Sequence, residues 1–158
     1  MLGIKHIRVD DRLIHGQVAT MWTNNLGVNR IMVINDEVAN NPTQKSVLRM
    51  AAPANVATSI ITRETAIKNI KSDKYKGQNV LILVKSPLDL ERLIEEGLDI
   101  RSFNLGNVSS KSNSRVIRPS VSLTEEEISS VRRMLDTGVE ITAQMTPRDK
   151  IVLIGDYL

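Results

Sequence analysis

Short runs of β-branched and aliphatic residues alternate with amphipathic helical patterns along the chain, and this alternation confines the fold to the α/β class. Ile4–Asp10 reads as a strand, followed by a helix over Gly16–Leu26 that turns Val18, Met21 and Trp22 to one face. Arg30–Asn35 (RIMVIN) is almost wholly apolar, as a strand covered on both faces must be. Pro42–Ala51 reads as a helix with Val47, Leu48 and Met50 inward, Val56–Thr62 as a third strand, and Thr62 as the cap of a helix running to near Gly77. Asn79–Val84 (NVLILV) is a fourth strand; Ser86 then caps a helix with Pro87 in its first turn, stopped by Gly97. Ser102–Leu105 and Arg115–Ile117 are short strands around a polar loop. Thr124 and Glu127 form a capping box that opens a helix ending at Gly138, and Val139–Ala143 is the last strand.

Repeated right-handed βαβ crossovers build an open, mainly parallel twisted sheet with helices on both faces. No repeat, low-complexity tract or linker interrupts the pattern, so residues 1–158 are expected to form a single domain. In such sheets ligands bind beyond the carboxyl ends of the strands, where the strand order switches. Functional residues are therefore expected in Asp10–His15, Asn35–Glu37, Lys85–Ser86 and the segment after Leu105.

Composition removes several function classes. There is no cysteine, which excludes a disulfide framework, a thiolate metal site and a thiol nucleophile, and suits a reducing cytoplasm. Aromatic residues make up 3%, too few to stack bases, so nucleic-acid binding is not expected. The N-terminal MLGIKHIRVDD meets charge too early for a signal peptide, and no apolar run is long enough to span a membrane. The net charge of +3 is compatible with an acidic partner or an anionic ligand.

The familiar phosphate motifs are missing: no G-x-G-x-x-G, no Walker loop and no G-x-S-x-G elbow occur. What remains is Arg8-Val-Asp-Asp-Arg-Leu-Ile-His-Gly-Gln, two arginines, two aspartates and a histidine at the mouth of the sheet. A histidine just before a helix lies near unpaired backbone N–H groups and the positive end of the helix dipole, which favour a phosphoryl group. Arg8 and Arg12 offer planar forks to phosphate oxygens, Gly16 allows close backbone approach, and an aspartate could hold one ring proton of His15. On the residues alone, His15 reads equally as a surface or capping residue and as a nucleophile.

Other polar residues carry plainer readings. His6 sits mid-strand and is expected to be packed or partly exposed rather than reactive. Asp36–Glu37 could join Asp10–Asp11 around Mg²⁺, although solvation or helix capping is the simpler expectation. Ser86 is first an N-cap, with phosphate contact as a second role. Arg101–Pro119 holds Arg101, Lys111, Arg115 and Arg118 without an acidic residue, a solvated loop or a docking surface for an acidic partner. A receiver-like domain phosphorylated on aspartate fails because the third strand ends Ile61-Thr62-Arg63 where the acceptor should stand. A non-covalent anion binder using Arg8 and Arg12 stays open.

The stretch from Arg8 to Val18 (RVDDRLIHGQV), followed by Trp22, resembles the active-site signature of the IIB components of mannose/fructose/sorbose-type sugar phosphotransferase systems. The resemblance extends through Val33-Ile-Asn-Asp-Glu-Val-Ala, Leu83-Val-Lys-Ser-Pro, Asn104-Leu-Gly-Asn and Val121-Ser-Leu-Thr. It implies a cytoplasmic phosphocarrier, peripherally associated with membrane subunits and often dimeric, working without a cofactor or metal. Such a protein takes phosphate from the phosphohistidine of a IIA component and donates it to a sugar moving through IIC and IID.

By position, the resemblance makes His15 the acceptor through Nδ1 and Arg12 the phosphate clamp, with Arg8 supporting it. Asp10 and Asp11 would shape the loop and orient the ring; Gly16 and Gln17 would supply backbone N–H groups to the phosphate, which Asp36 of the neighbouring loop and Ser86 are also expected to contact. Two places depart from the commoner pattern. Asn107 stands where many members carry a second glycine, a variation that points weakly to N-acetylgalactosamine-type systems. Gln144-Met-Thr-Pro-Arg-Asp replaces an expected Val-Pro segment.

Overall fold

The computed structural model describes all of residues 1–158. Strands β1 (Ile4–Asp10), β2 (Arg30–Ile34), β3 (Ala57–Ile61), β4 (Val80–Val84), β5 (Ser102–Asn107), β8 (Glu140–Ala143) and β9 (Val152–Leu153) form one sheet in the order β3-β2-β4-β1-β5-β8-β9. All neighbours pair in parallel except β8 with β9. β4 lies between β2 and β1, and every one of its residues, Val80 to Val84, is buried. A strand covered on both faces has no solvent side to mark with polar residues, which is why NVLILV shows no alternation.

Helices α1 (Gly16–Leu26) and α3 (Pro42–Ala51) cover one face, enclosing a smaller core that includes Val18, Trp22, Ile31, Val33, Leu81 and Leu83. Helices α4 (Arg63–Lys71), α5 (Pro87–Glu95) and α6 (Glu125–Asp136) cover the other, over a larger core with Val9, Ile82, Leu90, Leu105 and Ile128. The chain thus leaves β1 for one face and reaches β8 from β5 across the other. The crossovers therefore diverge between the carboxyl ends of β1 and β5, the switch in strand order beside which ligands bind in such sheets.

The structure adds to the pattern and corrects parts of it. A short helix α2 (Asp36–Ala39) follows β2, and an antiparallel hairpin of β6 (Ser114–Arg118) and β7 (Val121–Thr124) stands apart from the main sheet. α4 ends at Lys71, six residues before Gly77, and a turn with Asp73 at φ 56° follows. In α3, Leu48 and Ala51 pack against the smaller core, whereas Val47 and Met50 are 60% and 84% exposed. Residues 48 and 51 share one helical face, so 47 and 50 turn outward.

Candidate functional site

β1 alternates in the usual way, with Ile7 and Val9 in the larger core. That sends His6, Arg8 and Asp10 to the α1 face, where polar side chains replace apolar ones at the end of the smaller core. Arg8 and Asp10 are each 1% exposed. This corrects the expectation that Arg8 offers its planar fork to phosphate oxygens: on its strand the side chain is buried. Its Nη2 donates to Asp10 Oδ2 at 3.3 Å and its Nη1 to the Gln144 carbonyl at 2.9 Å. Trp22 lies over the guanidinium at 5.2 Å and donates its indole N–H to the Met145 carbonyl at 3.0 Å. Burial lowers the Arg8 pKa to about 10, against the opposing pull of Asp10, so Arg8 remains a cation near neutral pH.

Asp10 is the hub. Its Oδ1 accepts from Arg12 N and Nε, both at 3.0 Å, and its Oδ2 accepts from Arg12 Nη2 at 2.9 Å. This two-oxygen grip fixes the plane of a guanidinium that stays 29% exposed, and the same hydrogen bonding raises the Arg12 pKa. Asp11 ties the loop to the next connection, accepting from Asn107 Nδ2 at 3.1 Å and from Ser109 N at 2.8 Å. Between them, Leu13 adopts φ 62°, a conformation uncommon for a branched side chain. Leu13 and Ile14 are buried and anchor the loop, leaving Arg12 and His15 at its outer side.

His15 is exposed and occupies the N-cap position of α1, yet its side chain makes no capping hydrogen bond. Its carbonyl accepts from Ala19 N at 2.7 Å, while the first-turn N–H groups of α1 have no intrahelical partner. The expectation that Asp10 and Asp11 orient the His15 ring is not met by direct contact, because both carboxylates are engaged elsewhere. Gly16 and Gln17 begin α1 as expected and line a hollow with Thr20, Met21, Ala51 and Pro53. A Cβ at Gly16 would meet only Ala51 O at 3.5 Å, so nothing within the chain requires glycine there.

Two further expected phosphate contacts are diverted to other uses. Asp36 accepts from Arg63 N at 2.7 Å and so caps α4. Ser86 caps α5, accepting from Leu88 N at 3.1 Å, and donates its hydroxyl to Glu127 at 2.8 Å. Nor do Asp10, Asp11, Asp36 and Glu37 assemble into a group of three or more metal-competent side chains. Arg101, expected in a basic docking surface, precedes β5 at the amino end of the sheet and pairs with Asp99 at 3.1 Å.

Sequence reasoning missed Gly106, Asn104 and Gln144 as site residues. Asn104 Nδ2 donates to the Gln144 carbonyl at 2.8 Å, the same oxygen that Arg8 engages. The signal was present in Asn104-Leu-Gly-Asn, but only the pairing of β5 with β1 brings it to Arg8. Lys85 lies beside Asp11, Arg12 and Leu13 around a cavity of ≈ 230 Å³.

The arrangement is an exposed, uncommitted imidazole at a helix start, three residues along the same loop from an arginine whose orientation Asp10 fixes. Chemically, such a loop can receive an anion, and it stands at the switch in strand order of an open, mainly parallel sheet. Residues 4–158 match the family described as the PTS system sorbose subfamily IIB component, and the chain belongs to that family. It is 34% identical over 149 residues to the PTS system fructose-specific EIIB component of Bacillus subtilis, covering 94% of this chain and 91% of that protein. It is 36% identical over 151 residues to the PTS system mannose-specific EIIAB component of Escherichia coli, covering 96% of this chain but 47% of that relative, about half its length. The crystal structure of the IIBSor domain of the sorbose permease from Klebsiella pneumoniae superposes with a TM-score of 0.92 at 30% identity, over 99% of this chain and 96% of that one.

Proposed function

We propose that His15 is a transient phosphohistidine, receiving its phosphoryl group from a IIA phosphohistidine and passing it to a sugar presented by IIC and IID. The observation that carries this reading is the pairing of a free, exposed His15 with an Arg12 held rigidly by Asp10.

In the first step a His15 ring nitrogen, Nδ1 in this reading, attacks phosphorus. The donor's P–N bond breaks, its electron pair returns to the donor imidazole, and that ring takes up a proton from solvent, balanced by the proton that the other ring nitrogen of His15 gives up. In the second step a sugar hydroxyl attacks, the P–N bond to His15 breaks, and the hydroxyl proton leaves to the freed imidazole or to solvent. Both transition states spread charge over equatorial oxygens, so fixed donors rather than covalent help lower the barrier. Arg12 and the first N–H groups of α1 are those donors here.

The relatives are named for mannose, fructose and sorbose, and match this chain to similar degrees. The sugar is therefore assigned only to this group together with N-acetylgalactosamine, for which another relative is named. No helix is long and apolar enough to cross a membrane; action from the cytoplasm at membrane partners is the reading that family membership supports. Beside the loop that carries His15, exposed Val47 lines a cavity with Arg12 and Lys85, a mixed apolar and basic footing for a donor protein.

The test is the chemistry of the labelled protein. Incubation with a phosphorylated IIA component should leave an acid-labile, alkali-stable phosphate on His15, located by mass spectrometry. An alkali-labile acyl phosphate, or no covalent phosphate at all, would overturn the assignment.

A further inference from the structure

We propose that Arg8 is a positioning residue for phosphoryl transfer, held in a seat that Gly106 and Trp22 build for a planar guanidinium; the proposal rests on the reading of His15 above. Three independent observations converge on it.

First, the pairing of β1 with β5 slips by one residue: Val9 faces Leu105, but Asp10 faces Asn107, leaving Gly106 as an extra residue. Such bulges redirect side chains beside active sites. Second, the Arg8 guanidinium occupies the space where a Cβ at position 106 would stand, so any larger residue would collide with its Cζ and both Nη atoms. Third, Trp22 bounds the guanidinium, while Gln144 O and Asp10 Oδ2 take hydrogen bonds from its two Nη atoms. The guanidinium is thus set by shape on two sides and by hydrogen bonds at its edge.

Arg8 is too deeply buried to touch a ligand itself. Its effect passes through Asp10, whose two oxygens then orient Arg12. A lysine would keep the charge but could not bridge Gln144 O and Asp10 with a rigid fork. Release of Asp10 would let the Arg12 guanidinium rotate away from the transferring group without removing its charge. Positioning of this kind affects the chemical step, because a small misplacement raises the barrier more than it weakens binding.

Two variants test the seat, Gly106→Ala and Arg8→Lys, each compared with wild type by labelling of His15 with potassium phosphoramidate, a small phosphodonor that needs no protein docking. Both should lower the maximal labelling rate by about 10- to 100-fold, as for a misplaced catalytic group, with little change in the half-saturating phosphoramidate concentration. The double variant should be no slower than Arg8→Lys alone, because the added methyl no longer meets a guanidinium. Thermal denaturation establishes that each variant is folded, and if Gly106→Ala is not, Arg8→Lys carries the rate test alone. Wild-type rates in the folded variants, or losses that multiply in the double variant, would overturn the positioning role while leaving His15 as acceptor. A wild-type protein that carries no label on His15 from either phosphoramidate or IIA would overturn both.

Discussion

The loop after β1 and the loops after β2 and β4 all emerge at the carboxyl end of the sheet, and all are polar, yet they use their side chains in opposite ways. After β2, Asn35 caps α2 and Asp36 caps α4; after β4, Ser86 and Asp89 close a capping box at α5. Each of these groups satisfies a backbone donor that would otherwise be orphaned. After β1 the economy reverses. His15 holds the N-cap position without capping, and Leu13 adopts a strained φ. Two arginines converge on one buried carboxylate. A residue at the N-cap that does not cap leaves the first donors of the helix to another partner, and in the reading proposed above His15 and those donors are reserved for the transferring phosphoryl group.

Loss of the reserved group gives the largest expected effect. His15→Ala should abolish covalent labelling by phosphorylated IIA, whereas Asp36→Ala should still be labelled; a labelled His15→Ala protein would erase the distinction between the loops. Arg12→Ala is next. If its fixed guanidinium stabilises the transferring group, removing it should slow transfer by about 10²–10³-fold, roughly 3–4 kcal/mol of transition-state stabilisation. Single-turnover transfer measured against wild type checks this, and an unchanged rate would leave Arg12 as a structural partner of Asp10.

How far this was legible in the sequence follows from range. The α/β class, the sheet and the caps Thr62, Ser86 and Thr124 depend on neighbours a few residues away, and the structure places those caps as expected. The prominence of Arg8–His15 was legible too, because five ionisable or nucleophilic side chains crowd one strand end. The division of labour within it was not. Arg8 and Arg12 look alike in sequence, and only strand alternation together with cover from Trp22 buries one and leaves the other partly exposed. The role of Gly106 depends on a register slip between strands nearly a hundred residues apart in sequence. Ser86 and Asp36 were legible as cap residues; their diversion from phosphate depended on Glu127 and Arg63, which only the folded chain brings near.

Beneath the reactive loop, His6 offers a pH test of the same comparison. Its ring stacks on Trp22 at 5.1 Å, its Nε2 is buried without a partner, and burial followed by repulsion from Arg8 lowers its pKa from 6.5 to about 4. Between those values the unfolded chain binds a proton that the folded chain refuses. Stability is therefore whole above about pH 6.5 and declines as pH falls toward 4, by at most about 3 kcal/mol from this residue. His6→Phe, which keeps a ring against Trp22, should lose less stability than wild type over that interval in urea titrations. Parallel slopes would show that the packing around Trp22 and Arg8 accepts a second charge.

The smallest effect belongs to the loops whose groups are already used. Ser86→Ala removes the hydroxyl that accepts from Leu88 N and strips a donor from Glu127, which is buried at 3% exposure. The N-terminus of α5 then keeps an unsatisfied N–H, and Glu127 retains its bond from Thr124 N at 3.1 Å. The expected cost is about 1–2 kcal/mol, a fall of roughly 3–6 °C in Tm for a chain of this size, with phosphoryl transfer unaltered. The opposite pattern, slower transfer at an unchanged Tm, would mean that the β4 loop reaches the transferring phosphate after all. In that case an engaged side chain would be no sign of a silent one, and the contrast between the loops would reduce to His15 and Arg12 alone.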